Sequence, residues 1–594
     1  MTKSLARPSM KFGVLALTFM MLVPTFLVSC SSASVPRERE VTNGEQTGAA
    51  SAKPVKGGDL LTPTPLGQPV PTIGWVSIGA GQHYSGVVPF VHTANPGFWD
   101  VHYGASFTTT LIPSGPRFNQ LLMFDPTSPR EIIGDLAESW EVAEDGKSYT
   151  FRIHEAIWHD GEPVNADDIV FSLDRMAQPD VTRGRVQAIR TFYEHSTAEA
   201  MGERTVRMPL KSPSATALGW LAVDYLKMYP RHGIEEKAQD ELNCCPENTF
   251  GSGPWILKEW RKGDSYQFER YNNYFKAPMP FFDGIQVFVI EDYARRLASL
   301  KTQQVMGAFA MGDGYLAQDM LLVQEETGGK MRALQSGAGS IHGLWLNSSR
   351  APLEDPAVRK AIYLALDRQD VIATATEGFG ILGSFFPPGY ANTEEQLLQL
   401  PGFQQPKTPD LIEAKDLLAA AGLSDGFKLT ANIDQSRRSR TNAELIAVQL
   451  RKELGIEVEL EVSDRAKFYT NLRDGTHDLS FSGTGVFFKD PENILAQFFF
   501  KDTTRNPYNW EHPKINELTE LQARELNSDA RRELYRKLAS ILHQGESHYI
   551  PLYWSGRGGS LDDQLQNFQP PYHPHTIWKW EHVWFDPEAP LPSG

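Results

Sequence analysis

The stretch EIIGDLAESWEVAEDGKSYTFRIHEAIWHDGEPVNADDIVFSLDRM, residues 131–176, decides the fold. Its middle part alternates apolar and polar side chains, the period-two pattern of a half-buried strand, with the apolar positions at Tyr149, Phe151 and Ile153. Asp145-Gly146, just before these residues, is a turn signal. The pattern therefore predicts a turn that leads into a strand.

The second half of the same stretch predicts a helix with a defined start. Asn165 is a good N-cap residue, and Asp168 three positions later completes a capping-box pattern. Apolar residues then follow at helical spacing, at Ile169, Leu173 and Met176. The whole stretch is thus predicted to fold as strand, turn and capped helix.

The segments DLAESWEV, DGKSYTFRI and WHDGEPVNADDIVFSL closely resemble the signature of the peptide/nickel-type (family 5) extracellular solute-binding proteins of ABC transporters. Further segments resemble the same family in the same order: KGGDL (56–60), NPGFWD (95–100), NQLLMFDP (119–126), GSGPWILKEW (251–260), DPAVRKAIYLALDRQDVI (355–372), GFGILGSFFPPG (378–389) and IPLYW (550–554). The resemblance covers nearly all of residues 56–594. Each motif is weak alone, but their order makes the set specific.

Length and composition fit a large globular protein. The chain has 594 residues, of which 41% are hydrophobic and 22% charged, so two or three lobes with sizeable cores are expected. The formal net charge is −16, which disfavours nucleic acid and anionic lipid as binding partners. A net negative charge that only keeps the protein soluble is the simpler interpretation.

Helices alternate with strands in the second half of the chain, which predicts α/β lobes. The signals are an apolar strand at 343–347, a helix capped by Asp355 with Pro356 at its first position, amphipathic helices over 411–421 and 443–454, and an alternating strand at 456–462. Gly422 is placed to end the first of these amphipathic helices. The resemblance implies a two-lobed periplasmic-binding-protein fold (type II, cluster C-like).

The resemblance also implies the domain boundaries. Lobe I is expected over 58–340, with an inserted subdomain at about 106–245. Lobe II is expected over 341–549, and residues 550–594 are expected to return to lobe I.

The N-terminus predicts export and anchoring. Lys3, Arg7 and Lys11 precede an apolar run over 12–28, as in a signal peptide. The run ends in Leu-Val-Ser-Cys, which resembles a bacterial lipobox and implies cleavage after residue 29 and lipidation of Cys30. Residues 30–57 are poor in apolar side chains and predict a flexible tether that reaches about 30 Å. An ordinary signal peptide with an incidental cysteine is the alternative.

Chemistry-bearing motifs are scarce in this sequence. Cys244 and Cys245 are neighbours in sequence, and no disulfide is expected because adjacent cysteines rarely bridge without strain. Gly146-Lys147-Ser148 resembles the end of a phosphate loop, but Glu141 stands where that loop needs glycine. Three histidines near the C-terminus (His573, His575 and His582) lie in a tryptophan-rich segment that favours packing over metal binding. No catalytic residue, cofactor or metal is therefore expected.

The resemblance implies that two lobes close over a solute, and a buried solute needs apolar walls with a few polar groups. By their position in the family's motifs, ten residues are candidates for the cleft: Phe98, Trp99, Asn119, Trp255, Trp345, Asn347, Phe385, Phe386, Phe487 and Phe488. Each of them is also explained as an ordinary core residue. Trp345 and Phe487 are the favoured members of the set.

One segment departs from the peptide-binding pattern. Peptide-binding members carry GWxxDxxDP, in which the first aspartate pairs with the α-amine of the peptide, whereas residues 483–491 read GTGVFFKDP. Phe487 thus replaces that aspartate, and a cation–π contact recovers only part of the lost charge-assisted bond. An aromatic cleft would also suit an oligosaccharide, whose sugar faces stack on such rings.

The resemblance therefore implies a non-enzymatic, substrate-binding lipoprotein of an ABC importer. It is expected in the cell envelope as a monomer that captures a peptide-like solute and delivers it to membrane permease subunits. An oligosaccharide or a nickel chelate is the alternative solute. A secreted hydrolase and a scaffold or receptor role are the alternative functions.

Overall fold

The computed structural model describes residues 70–71, 85–104, 106–128, 131–181, 183–311, 315–376, 378–488, 490–499, 505–571 and 579–586. All of them belong to one compact unit, Val55–Gly594. The predicted signal peptide, Cys30 and the tether over 30–57 lie outside the described residues.

The first half of the chain builds lobe I, by which we mean residues 70–335 and 558–586. Before the chain first passes into lobe II, the strands of lobe I are β1 (Val70–Pro71), β2 (Ser85–His92), β3 (Leu122–Phe124), β4 (Ile132–Gly134), β5 (Ala137–Val142), β6 (Ser148–Ile153), β7 (Glu199–Ala200), β8 (Thr205–Pro209), β9 (Trp255–Arg261), β10 (Ser265–Arg270), β11 (Phe282–Val289) and β12 (Met331–Gln335). They form a five-stranded sheet in the order β1-β5-β6-β8-β7, a four-stranded sheet in the order β2-β11-β10-β9, and a β3-β4 hairpin.

The helices of lobe I are short. They are α1 (Ile112–Ser114), α2 (Ala166–Ala177), α3 (Ala217–Leu221), α4 (Arg231–Ile234), α5 (Gln239–Cys244), α6 (Tyr293–Lys301) and α7 (Ala317–Glu326). One π-helical segment (Phe107–Leu111) and three 3-10 segments (Gly115–Arg117, Val186–Thr191 and Pro246–Asn248) complete the set of described lobe I helices.

Lobe II, residues 340–555, is an α/β layer structure. Its strands are β13 (Ser340–Leu346), β14 (Lys428–Asp434), β15 (Glu457–Ser463), β16 (Leu479–Gly485) and β17 (Tyr549–Ser555), ordered β15-β14-β16-β13-β17. Its helices are α8 (Pro356–Ala365), α9 (Arg368–Ala375), α10 (Glu394–Leu397), α11 (Thr408–Ala420), α12 (Arg437–Leu454), α13 (Arg465–Asp474), α14 (Glu492–Phe498), α15 (Pro513–Arg524) and α16 (Ser528–Leu542). Two apolar clusters cover the two faces of this sheet, one holding Leu344 and the other Trp345.

The chain returns to lobe I after β17. Strand β18 (Gly558–Asp562) pairs with β12, and β19 (Leu565–Gln566) pairs with β20 (Trp584–Phe585). The sequence places the return near Ile550, whereas that residue lies inside β17 and pairs with Leu344 of lobe II. The backbone leaves the lobe II sheet after Ser555.

The stretch over 131–176 folds as its pattern predicts. Gly146 has a φ of +67° in the turn before β6. Asn165 caps α2: its side chain accepts a hydrogen bond from the Asp168 backbone N–H, and the Asp168 carboxylate accepts one from the Asn165 N–H. The capping box is therefore confirmed. So are the N-cap at Asp355 and the helix ended by Gly422, which has a φ of +74°.

The expectation that Cys244 and Cys245 do not bridge is wrong. The two residues form a disulfide with an S–S distance of 2.04 Å. Cys244 is the last residue of α5, while Cys245 has extended backbone (φ −126°, ψ 104°). The helix thus ends between the two cysteines, and this change of backbone direction accompanies the bond.

A buried charge network ties the end of the chain to lobe I. The carboxylate of Asp135 accepts hydrogen bonds from the Nζ atoms of Lys276 at 2.5 Å and Lys579 at 2.6 Å. Although burial alone would raise the pKa of Asp135, the two ammonium groups hold that pKa below its usual range. Glu581 accepts a further bond from Lys276 at 3.1 Å.

Candidate functional site

Two short segments connect the lobes: residues 336–339 join β12 to β13, and residues 556–557 join β17 to β18. They are bonded to each other, because the Ser336 N–H donates to the Arg557 carbonyl at 2.9 Å and the Arg557 N–H donates to Ser336 Oγ at 2.8 Å. A Cβ atom at Gly556 would lie 2.1 Å from the Ser336 carbonyl oxygen, so only glycine fits there. We call these two segments, 336–339 and 556–557, the hinge, because short connections of this kind can absorb a rotation of two lobes.

Four strands of the lobe II sheet end at the same edge. Strands β14, β15 and β16 run parallel, and β17 points the same way because β13 is antiparallel to both β16 and β17. Ligands of open α/β sheets bind beyond the carboxyl ends of such strands. The residues that follow β14, β16 and β17 are 435–438, 486–488 and 556–557, so they lie at this edge of the sheet.

Phe487 and Phe488, which follow β16, contact side chains of lobe I. Phe487 lies on the indole of Trp220, with ring centres 5.1 Å apart, and near Tyr225 at 6.4 Å. Phe488 contacts the same Trp220 edge-on at 5.2 Å and stacks on Phe124 at 6.5 Å. Both phenylalanines belong to the apolar cluster of lobe I rather than to those of lobe II. They form a direct aromatic contact between the lobes.

Arginines surround this aromatic contact. The guanidinium carbon of Arg185 lies 5.3 Å from the ring centre of Phe487, and that of Arg557 lies 5.4 Å from the ring centre of Phe107. Burial raises the pKa of Tyr225, and the charges of Arg185 and Arg557 act against the rise. Both guanidinium groups therefore lie near the Tyr225 hydroxyl.

A third arginine lies beside the hinge. Arg438 in the first turn of α12 donates to Ser555 Oγ at 2.8 Å and lies 3.5 Å from His342 Nε2. Burial, together with the charges of Arg438 and Arg557, holds the pKa of His342 well below its usual range, so this imidazole is neutral. A cavity of about 70 Å³ opens beside these groups, lined by residues that include Tyr315, Gln335, Thr376, Arg437, Arg438 and Ser555.

Asp490, the acidic residue of the GTGVFFKDP segment, and Glu492 just after it both lie against Arg531. Asp490 forms a two-point ion pair with Arg531, at 2.7 and 2.9 Å, and accepts a bond from Tyr535 at 2.9 Å. Glu492 accepts a hydrogen bond from the Thr216 hydroxyl of lobe I and lies 3.6 Å from Arg531. Burial raises the pKa of Glu492 to about 7.

Four of the sequence-predicted site residues lie within lobe I. Phe98 is 40% exposed and packs edge-on against Tyr103, whereas Trp99 is buried under Arg117. Asn119 is buried and donates to Asp135 at 2.8 Å, and the Trp255 indole donates to the Lys579 carbonyl. Their described contacts are all with lobe I, so we do not place them in the proposed cleft.

Four others lie within lobe II. Trp345 packs between Phe498 and Tyr549, with ring centres 6.0 and 4.9 Å away. The same apolar cluster contains Phe385 and Phe386, and Asn347 donates to the carbonyls of Gly475 and His477. Of the ten predicted residues, the structure thus brings only Phe487 and Phe488 against the opposite lobe.

The residues that sequence reasoning missed are mostly polar or cationic: Phe107, Arg185, Trp220, Tyr225, His342, Arg438, Ser555 and Arg557. One signal was usable, since Arg557 and Ser555 directly follow the IPLYW motif. The others match none of the motifs that identified candidate site residues in the sequence.

Two further observations concern metals and membranes. Within the part of the chain that the structure describes, no group of three His, Cys, Asp or Glu side chains could hold a metal ion. His573 and His575 lie outside that part. Among the described helices, none is long and apolar enough to cross a membrane.

Curated relatives resemble this chain over most of their length. It is 26% identical to the dipeptide-binding protein of Escherichia coli K12 over 468 residues, 74% of this chain and 84% of that protein. It is 24% identical to heme-binding protein A of Haemophilus influenzae over 480 residues, 76% of this chain and 84% of that protein.

Solved structures show the same fold. The agropinic acid complex of the binding protein AgaA from A. tumefaciens R10 superposes with a TM-score of 0.70 at 22% identity, covering 84% of this chain and 99% of that one. The DppA protein of Helicobacter pylori, in complex with the peptide STSA, superposes with a TM-score of 0.69 at 22% identity, covering 85% and 98%. The two-lobed periplasmic-binding-protein fold is confirmed. Residues 131–506 match the family model of bacterial extracellular solute-binding proteins, family 5, so the chain belongs to this family of non-enzymatic transport components.

Proposed function

We propose that this chain captures a peptide-like solute between lobes I and II and delivers it to the permease of an ABC importer. The observation that carries the proposal is the contact of Phe487 with Trp220, which joins the two lobes at the carboxyl edge of the lobe II sheet. A solute bound at this edge would be covered by both lobes. Closure about the paired hinge would then bury it.

The peptide-like class is supported by the relatives, several of which are named for dipeptides or tripeptides. Other relatives are named for heme or glutathione, so the fold accepts several solutes. An oligosaccharide is the second candidate, because the Trp220 indole contacts both Phe487 and Phe488 and aromatic faces of this kind stack on sugars.

We also propose that the mature chain is a monomer held at the cell envelope by lipid on Cys30. The support is the charged and apolar leader that ends in Leu-Val-Ser-Cys. Radioactive palmitate should label the wild-type chain in cells and should not label Cys30→Ser. Equal labelling of both would contradict the anchor without touching the proposed solute site.

A thermal-shift screen of the full chain in mild detergent tests the solute class. The panel contains di- to pentapeptides, oligosaccharides and nickel chelates. A solute present at 100 times its dissociation constant adds about 2.7 kcal/mol to stability, which shifts the melting temperature visibly. We expect peptides to raise it. A shift with oligosaccharides alone would contradict the peptide-like class.

A further inference from the structure

Lobe I contains a cavity of about 450 Å³, a volume in the range of small-molecule sites. Helix α2, the loop that follows it, and the residues of α4 and α5 surround this cavity. Its apolar wall is made by Phe171, Val181, Ile234 and Leu242. None of its described lining residues belongs to lobe II or to the hinge, so the cavity is separate from the proposed solute cleft.

Arg183 lines this cavity and is only 7% exposed. Its two terminal nitrogens donate to the side-chain oxygens of Gln239 at 2.7 Å and Gln178 at 3.0 Å, and both of these partners are neutral amides. Its Nε has no hydrogen-bond partner among the described residues. A guanidinium offers five N–H donors, so most of the donors of Arg183 have no described acceptor.

Arg175, a second arginine of the same cavity, differs from Arg183 because it has a counter-ion. Arg175 is equally buried and forms a two-point ion pair with Asp100, at 2.6 and 3.2 Å. Burial opposes its charge, but Asp100 raises the pKa of Arg175 above its usual range. Burial, together with the positive charge of Arg175, instead lowers the pKa of Arg183 to about 10. Arg183 is therefore a buried cation that forms no ion pair with a described carboxylate.

The two acidic residues in the described lining of the cavity are bonded to other groups. Glu235 forms a two-point ion pair with Arg231, at 2.9 Å for each contact, and is half-exposed. Asp174 accepts hydrogen bonds at one oxygen from the Tyr193 hydroxyl at 2.5 Å and from the Ser196 N–H at 2.7 Å. Neither carboxylate pairs with Arg183.

Two further cations add positive charge. Lys237 lines the cavity, and its Nζ donates to the carbonyl of Asn248 at 3.2 Å. The charge of Arg190 also acts against that of Arg183, and Arg190 donates to the carbonyl of Val181 at 2.6 Å. Neither forms an ion pair with a described acid. The cavity thus has an excess of positive charge in a chain whose formal net charge is −16, and such a reversal of sign attracts anions.

We propose that this cavity is a second ligand site, which binds a small organic acid with an apolar body. The carboxylate of the acid pairs with Arg183 and supplies the counter-ion that this guanidinium lacks, since bonds between arginine and carboxylate are charge-assisted and strong. The apolar body lies against Phe171, Ile234 and Leu242. This site does not depend on which solute the cleft binds.

Three probes with the same apolar body test the charge that the cavity prefers. They are 3-phenylpropionate, which is an anion, 3-phenylpropionamide, which is neutral, and 3-phenylpropylamine, which is a cation. Titrations of the wild-type full chain followed by NMR should show that the anion binds about 10- to 100-fold more tightly than the amide, the ratio expected for a charge-assisted hydrogen bond. The cation should bind more weakly than the amide. This comparison requires no variant, so it stands even if a variant fails to fold.

Arg183→Gln tests the residue itself, with Arg207→Gln as the matched control. Arg207 lies on β8, pairs with Glu199 at the surface and does not line the cavity. Arg183→Gln should weaken 3-phenylpropionate about 10- to 100-fold, and Arg207→Gln should leave its affinity unchanged.

Three results would overturn the proposal. The first is that the three probes bind equally or that none of them binds. The second is that the amine binds most tightly, which would mean that Asp174 sets the charge of the cavity. The third is that Arg183→Gln and Arg207→Gln behave alike, which would place the probe elsewhere on the protein. None of these results bears on solute capture between the lobes, which the thermal-shift screen tests separately.

Discussion

The ring of Phe487, from lobe II, lies beneath the guanidinium of Arg185, from lobe I, at 5.3 Å from ring centre to Cζ. In the GWxxDxxDP motif with which residues 483–491 were compared, the position of Phe487 is an aspartate. An aromatic ring and a cation attract each other by about 0.5–1 kcal/mol in exposed settings. The contact therefore favours the approach of the two lobes.

Replacing Phe487 by alanine should weaken the contact between the two lobes. Phe487→Ala removes ring contacts with Trp220, Tyr225 and Arg185, and aromatic pairs contribute about 0.5–1.5 kcal/mol each beyond their buried area. We expect solute affinity to fall about tenfold or more, measured by titration calorimetry. The matched control is Phe98→Ala, at a 40% exposed residue whose described ring contact is with Tyr103. An equal loss of affinity in both variants would show that solute binding does not depend on Phe487 in particular.

Replacing Asp135 should destabilise lobe I. Asp135→Asn leaves the ammonium groups of Lys276 and Lys579 buried with less compensation, and breaking a buried ion pair costs about 3–5 kcal/mol. Asp283→Asn is the control, since its ion pair with Arg270 lies at the surface, where pairs contribute less than about 1 kcal/mol. Urea unfolding measures both. Similar urea midpoints for the two variants would show that the buried network contributes little to the stability of lobe I.

Glu492 should make stability depend on pH. The structure raises its pKa from 4.5 to about 7, so between these values the native chain keeps a proton that the unfolded chain has lost. The free energy of unfolding should therefore fall as pH rises through this window, by at most about 3 kcal/mol. Glu492→Gln has no proton to lose at this position, so its free energy of unfolding should not show this fall with pH.

The comparison is made by thermal unfolding at several pH values. Near pH 5 the wild type and Glu492→Gln should differ little, whereas near pH 8 the wild type should be the less stable of the two. A constant difference between the two proteins across this range would mean that Glu492 titrates normally in the folded chain.

The sequence predicts the local architecture well because the signals are local. The capping box of Asn165 and Asp168, the turn at Gly146 and the helix end at Gly422 each depend on a few neighbouring residues. The family motifs add the two-lobed fold, because their order along the chain is specific.

The site is harder to predict because it assembles residues that are distant in sequence. Arg185 and Arg557 come together near Tyr225 only after the chain has crossed between the lobes twice. Large aromatic residues such as Trp345 and Trp255 look like ligand contacts but are buried in the cores of single lobes. The Cys244–Cys245 bond was also missed, because spacing alone argued against it.

Energy transfer between the lobes tests the central claim most directly. Dyes are attached through unnatural amino acids at positions 262 and 415, where Lys262 of lobe I and Lys415 of lobe II are exposed and neither forms an ion pair with a described residue. If a solute binds between the lobes, a peptide-like molecule that raises the melting temperature should also change the transfer efficiency, and Phe487→Ala should reduce this change. A solute that binds with measurable heat but leaves the efficiency unchanged would show that it binds outside the cleft.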